Sequence, residues 1–379
     1  MQRYGSALSE HPDATQAVGE IVGRILDLVG PAPDMAVVFV SEEHRESFGE
    51  ITGAIRTMLS PQVLVGCTTA SLMVDDLEVE DRAAISLWAG NTGPVAPVRI
   101  HVDRSEHGVS VGGFEEVVDA GDGTLVLLGD PFSMPTTGLL RRLAETVPDL
   151  VVVGGLAGAG HGAGANRFVL DDLVVSDGAV GALFPPGVIE PIVSQGCRPI
   201  GSPAIVTAAE GNLVVELAGT KALERLEAEL GRLAEDEQEQ AAQGLHLGLV
   251  LDESQATFGQ GDFLIRNVVG ADHERGAVAI GTTVEVGQTA QFHVRDAVTS
   301  DVDLDLALRA GPHQGAALVF SCNARGSALF GPTDHDARTI HEHLGGAVAG
   351  MFCTGEIGPV GGRNHVHGFT ACIAVFGDS

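Results

Sequence analysis

The sequence predicts an α/β to α+β protein: a two-domain layered sandwich of mixed sheets flanked by helices. Three observations lead there. A strand–helix–strand unit occurs three times, short apolar strands separated by turn signals lie between the copies, and 379 residues exceed what one core usually serves.

The first helix opens at Pro12-Asp13 and places Ala14, Val18, Ile21, Val22, Ile25 and Val29 at helical spacing before Gly30-Pro31 stops it. The first unit then runs from Val37–Ser41 through a helical stretch ending near Met58 to Val63–Gly66. The second runs from Leu125–Gly129 through Thr136–Thr146 to Leu150–Val153, and enters Gly154-Gly155. The third runs from Leu318–Cys322 through about Thr333–Leu344 to Val348–Cys353. Right-handed crossovers of this length make the two strands parallel and bring their carboxyl ends together, where ligands of α/β sheets usually sit. Two copies fall in the first half of the chain and one in the second, with a domain boundary expected near residue 217, giving domains 1–217 and 218–379.

Strands are expected at Ala83–Trp88, Val95–Val102, Phe168–Val175, Ala179–Phe184, Val188–Ser194, Ala204–Ala209 and Leu213–Leu217. A helix from Lys221 to about Ala242 follows, with Leu223, Leu226, Leu230 and Leu233 on one face. Near the C-terminus, Gly355 to Thr370 reads as a glycine-rich loop between two buried strands, holding Glu356, Arg363, Asn364 and His367.

Composition narrows the function. The net charge of −30 repels phosphate backbones and anionic lipid, so neither nucleic acid nor a membrane is an expected partner. Mean hydropathy of +0.21 marks an ordered chain, with no apolar run long enough to span a bilayer and no secretory signal. Five scattered cysteines without C-x-x-C spacing read as reduced thiols of a cytoplasmic protein.

Candidate ligand-binding residues follow from the strand ends. Cys67, Thr68 and Thr69 offer a thiol and hydroxyls, or simply cap a turn. Gly154 and Gly155 lack the Lys-Ser/Thr of a Walker loop and the spacing of a dinucleotide fingerprint, and read as a loop beside a pocket. Gln291, His293 and Arg295 share one strand face, which meets either water or an acidic ligand; Arg198 invites the same reading. Cys322 precedes Asn323 and Arg325, and an adjacent arginine would raise its thiolate fraction. His341-Glu342-His343 is not a zinc motif, and neither metal nor cofactor is expected.

Taken in order, Gly66-Cys67-Thr68-Thr69-Ala70, Val153–Ala157, Gln195–Gly201, Phe263–Asn267, Phe292–Ala297, Phe320–Gly326, Asp334–Ala337 and Gly355–Gly362 resemble the FIST family across nearly the whole chain. His365 departs from it, standing where the family more often has an aromatic residue. The resemblance implies paired FIST N and C domains forming a bacterial intracellular sensory module for small polar ligands such as amino acids. Its binding residues would include Cys67, Thr68, Thr69, Gly154, Gly155, Arg198, Arg295, Cys322, Asn323, Arg325, Glu356, Gly361, Gly362, Asn364 and His367. With no signalling or F-box domain in this sequence, its output would pass through a protein partner. Two other readings stay open: a cysteine enzyme using Cys322 with His367 or Glu356, and an interaction scaffold.

Overall fold

The computed structural model describes residues 3–105, 108–235, 237–238, 241, 244–259, 261–312 and 314–377. They form two compact units, Met1–Val193 with Ala307–Ser379, and Ser194–Leu306. Compactness therefore divides the chain by inserting one unit into the other.

The chain opens with β1 (Tyr4–Ser9) and α1 (Ala14–Leu28). Asp13 caps α1 by accepting the Gln16 N–H at 2.9 Å, and Ile21, Val22 and Ile25 bury its apolar face. The first copy is β2 (Met35–Ser41), α2 (Phe48–Leu59), β3 (Val63–Thr69), a hairpin of β4 (Leu72–Val74) and β5 (Leu77–Val79), and β6 (Ile85–Gly90). After β7 (Ala96–Ser105), β8 (Gly108–Gly112) and α3 (Phe114–Ala120), the pattern repeats. The second copy is β9 (Gly123–Gly129), α4 (Thr136–Thr146), β10 (Leu150–Leu156), the hairpin β11 (Phe168–Leu170) and β12 (Leu173–Val175), and β13 (Ala179–Phe184). β14 (Ile189–Ser194) follows.

The inserted unit is antiparallel: β15 (Arg198–Glu210), β16 (Leu213–Leu217), β17 (Thr220–Lys221), α5 (Ala222–Leu230), β18 (Leu245–Val250), β19 (Phe263–Asp272), β20 (Ala277–Ile280) and β21 (Thr289–Val294). Its strands run in the order β15-β21-β18-β19-β20-β16-β17, and β15 also pairs with β16, so the sheet closes on itself and hides its edges. Leu247, Leu249, Phe292 and Val278 pack with Ala222 and Leu226 of α5. The long helix expected to reach about Ala242 ends at Leu230, before Gly231. Parts of its charged tail, Ala242 included, lie outside the described residues.

After α6 (Ala297–Ala310) comes the third copy. It consists of β22 (Gly315–Cys322), α7 (Gly326–Phe330), α8 (His335–Leu344), β23 (Gly345–Cys353), the hairpin β24 (Gly355–Val360) and β25 (Arg363–His367), and β26 (Ala371–Phe376).

All three crossovers are parallel as expected, with Ser41 opposite Thr69, Gly129 opposite Leu156 and Cys322 opposite Cys353. Three sheets result: β1-β6-β2-β3-β11-β12, β25-β24-β10-β9-β13-β7-β8 and β14-β26-β22-β23-β4-β5. Each copy sends its hairpin to another copy's sheet. The first hairpin pairs with β23, the third with β10 and the second with β3, a closed cyclic exchange. Phe39, Val65, Trp88, Val126, Val153, Leu318, Met351 and Phe376, drawn from all three sheets, meet in one apolar core. Helices α1 and α2 cover the outer face of the first sheet, α3 and α4 that of the second.

Two sequence expectations change here. Phe168–Val175 is a hairpin turning at Asp171-Asp172, not one strand. Gly355–Thr370 is also mostly a hairpin. Val360 pairs with Arg363, and Gly361 and Gly362 have φ of 59° and 73°, as a two-residue I′ turn requires.

Candidate functional site

The site builds up at the carboxyl end of the third copy. Glu356 lies opposite Gly155 of β10 on one side and His367 of β25 on the other. Gly155 has no side chain because a Cβ there would sit 2.2 Å from Cys353 Sγ. The Glu356 carboxyl is fully buried. Its Oε2 accepts the Thr370 N–H at 3.1 Å and the Cys322 thiol donates to the carboxyl. Its Oε1 has no hydrogen-bond partner among the described residues. Burial pushes this carboxyl up from 4.5 to about 8, although the Thr370 amide, the Cys322 thiol and the Arg325 charge all favour the anion. Glu356 is therefore mainly a neutral acid at pH 7.

Thiols surround it. Cys353 is the register partner of Cys322, and Cys372 lies opposite Phe320. Burial, then the nearby Glu356, pushes the Cys353 and Cys372 thiols well up, and burial does the same to Cys67, whose Sγ stands 3.2 Å from Met351 Sδ. These three are protonated packing groups.

Arg325 is 1% exposed, and its fork is taken by Asp336 through Nε at 2.6 Å and Nη2 at 2.9 Å. Ser321 Oγ at 3.0 Å and His335 Nδ1 at 3.1 Å complete the carboxylate's partners. Burial alone would raise the Asp336 pKa, but the Arg325 charge and these hydrogen bonds hold it well below the carboxylate range. His335 stacks on Phe330 at 3.5 Å and the guanidinium lies 5.4 Å from that ring. The sequence reading gave Arg325 to the Cys322 thiol; the geometry gives it to Asp336, leaving Glu356 the group that Cys322 meets.

Exposed polar groups follow the ends of β22 and β23. Asn323 and Thr354 are exposed, and the Asn323 N–H donates to Cys353 O at 2.9 Å. A Cβ on Gly158 would meet Asn323 Nδ2 at 2.8 Å, so Gly158 lets that amide lie close. Phe369, next to Thr370, has φ of 64°, a strained conformation for an aromatic residue and of a kind that clusters at ligand sites.

The FIST N domain model matches residues 34–220 and the FIST C domain model residues 222–359. The chain belongs to the FIST family. An uncharacterized protein of Mycobacterium tuberculosis strain H37Rv is 41% identical over 384 residues, covering 99% of this chain and all of that one. Another, from Mycobacterium bovis, is 40% identical over 383 residues and 99% of each chain. FIST domains are associated with signal transduction and small-ligand sensing.

The remaining expected site residues of this FIST protein are scattered. Thr68 Oγ1 accepts the Arg167 N–H, and Thr69 Oγ1 donates to the carbonyls of Ser71 at 2.8 Å and Phe352 at 3.0 Å, so both tie strands together. Gly154 and Gly155 lie inside β10 rather than in a loop; a Cβ on Gly154 would be 1.9 Å from Leu127 O. Asn364 belongs to the opposite end of β10, where it accepts from Val152 N–H at 2.9 Å and donates to Leu150 O at 2.7 Å. Gly361 and Gly362 form the turn beyond it. His367 is buried, with Nε2 3.1 Å from Gly358 O.

Arg198 and Arg295 belong to the inserted unit. Arg198 pairs with Glu237 at 2.8 Å and Asp296 at 3.4 Å, while Arg295 depresses the His246 pKa as a lesser cause after burial. The face bearing Gln291 and His293 does not meet water, for both are buried. Sequence reasoning missed Asp336 and Thr370. The pattern Asp334-His335-Asp336 at a helix start was a signal for a capping or pairing carboxylate, but nothing local showed that Arg325 would reach it. Among the described residues no three His, Cys, Asp or Glu side chains gather as a metal would need.

Proposed function

We propose that this chain is an intracellular sensory protein that binds a small polar metabolite of amino-acid type at the carboxyl ends of β22, β23 and β10. The observation carrying this reading is the Glu356 carboxyl, fully buried with Oε1 lacking a protein partner among the described residues, while Asn323 and Thr354 at the neighbouring strand ends are exposed. A buried unmatched polar oxygen costs about 1–3 kcal/mol, which a polar group of the ligand would recover. The Asn323 carboxamide offers donor and acceptor for the ligand's other polar groups. The strained Phe369 beside Thr370 is the element that ligand binding would relax, and a partner protein reading this segment would carry the signal onward.

A thermal-shift screen of the purified chain against amino acids and their amides tests the reading. At least one compound should raise the melting temperature, and Asn323→Ala should remove that shift. A flat response to every compound at millimolar concentration would overturn it.

A further inference from the structure

Two of the three exchanged hairpins bring turn aspartates beside a basic side chain on the helix of their host sheet. At the β11–β12 turn, Asp171 and Asp172 stand 3.8 and 3.7 Å from Arg56 of α2. At the β4–β5 turn, Asp75 stands 4.0 Å from His341 of α8. The third hairpin breaks the pattern. Its first strand has six residues where the others have three, so its turn reaches past the start of β10, and the turn is Gly361-Gly362 instead of Asp-Asp. Arg363 follows, where the other hairpins have Leu77 and Leu173.

Between this turn and the end of α4 lies a cavity of about 390 Å³, lined by Arg141, Glu145, Pro148, Gly362, Arg363 and Asn364. Glu145 is 3.5 Å from Arg142. Among the described residues, neither Arg141 nor Arg363 has a carboxylate within ion-pair distance. That is notable in a chain with 51 acidic and 21 basic residues. Asn364, fixed to the backbone of Leu150 and Val152, gives the cavity a rigid floor.

We propose that this groove binds a small oxyanion, a carboxylate or phosphate, in the place that turn aspartates take in the other two copies. Two arginines lining one cavity suit either anion, because each guanidinium fork can donate two parallel hydrogen bonds. The inserted glycines supply the room: a Cβ on Gly362 would have nothing within 4 Å. Binding should weaken with salt, since ions screen the attraction between exposed arginines and an anion. The site is separate from the Glu356 region, which lies at the other end of β10, and it stands or falls by different variants.

The test is isothermal titration of the full chain with succinate and, separately, with inorganic phosphate at low ionic strength. At least one anion should bind, and which one identifies the chemistry. Arg141→Gln and Arg363→Gln should each weaken binding by roughly tenfold or more, the loss of a charge-assisted hydrogen bond. Gly362→Asp should abolish it by restoring the internal carboxylate. That variant is expected to fold, because Gly362 has φ of 73° and the chain already accepts Asp75 and Asp171 at 52° and 54°. Trp88 fluorescence reports whether it does. Failure of both anions to bind at millimolar concentration, or binding undiminished in both arginine variants, would overturn the proposal.

Discussion

Glu356→Gln should stabilise the protein near neutral pH while removing its response to ligand. The folded carboxyl has its pKa raised from 4.5 to about 8, so its contribution is intact below pH 4.5 and is lost as pH rises towards 8. At pH 7 the interval already crossed is about 2.5 units, or about 3 kcal/mol at 1.36 kcal/mol per unit. Glutamine keeps the shape and the acceptor for the Thr370 N–H but cannot ionise. The stability difference between variant and parent should thus grow by about 1.4 kcal/mol per pH unit from roughly pH 5 to 8. Urea unfolding followed by Trp88 measures it, because this is the single Trp and it is fully buried in the core of the first unit. Glu78, raised to about 7 mainly by burial, adds its own slope to both proteins and cancels in the difference. A difference that stays constant over this range would show that Glu356 is ionised in the folded protein and refute the reasoning.

Three further outcomes are expected. Asp336→Asn strands the buried Arg325 charge and should cost about 3–5 kcal/mol by the same fluorescence assay. Gly155→Ala drives a Cβ towards Cys353 Sγ, 2.2 Å away, and should cost about 1–3 kcal/mol; adding Cys353→Ala should recover much of this in a double-mutant cycle. Burial holds His246 and His293 near pKa 4, down from 6.5, so the inserted unit should lose stability as pH falls from 6.5 to 4. Each contributes up to about 3 kcal/mol, and hydrogen exchange at Leu247 and Phe292 should accelerate over that interval after correction for intrinsic rates.

The three crossovers were legible because each carries its own evidence: an apolar run, a helical period and a second apolar run within about 30 residues. The hairpins were not. Leu72–Val74 and Leu77–Val79 have three residues each, too few to show alternation, and the sheet that β4 joins lies over 250 positions away, at Ala349 to Met351. Gly361-Gly362 carried a hairpin signature, but the surrounding glycines made the whole segment read as loop. Of the candidate site, Glu356 and Cys322 were visible as polar groups at strand ends. Their meeting, and the capture of Arg325 by Asp336, arise from packing that brings β22, β24 and α8 together. Arg295 entered the expected set through a shared strand face and its fork, and Arg198 by the same reasoning, neither of which says where in the fold that face lies.

Near-repetition also bears on why the proposed binding site falls in the third copy. In the first copy Ser41 Oγ accepts the Ala84 N–H at 3.0 Å. In the second, Asp130 accepts from Asn166 at 2.9 Å and from the Ser133 hydroxyl at 2.7 Å, and Asn166 in turn accepts from Gly160 N–H. These strand ends close upon themselves with strong donors. The third ends in a thiol, a weak donor, facing a carboxyl that has more hydrogen-bonding capacity than its neighbours fill. On the proposed reading, the unsatisfied corner takes the metabolite, at a stability cost that the ligand itself offsets on binding. On this view, filling the third corner with a strong internal donor should raise stability and abolish ligand response together, the same coupled outcome expected of Glu356→Gln.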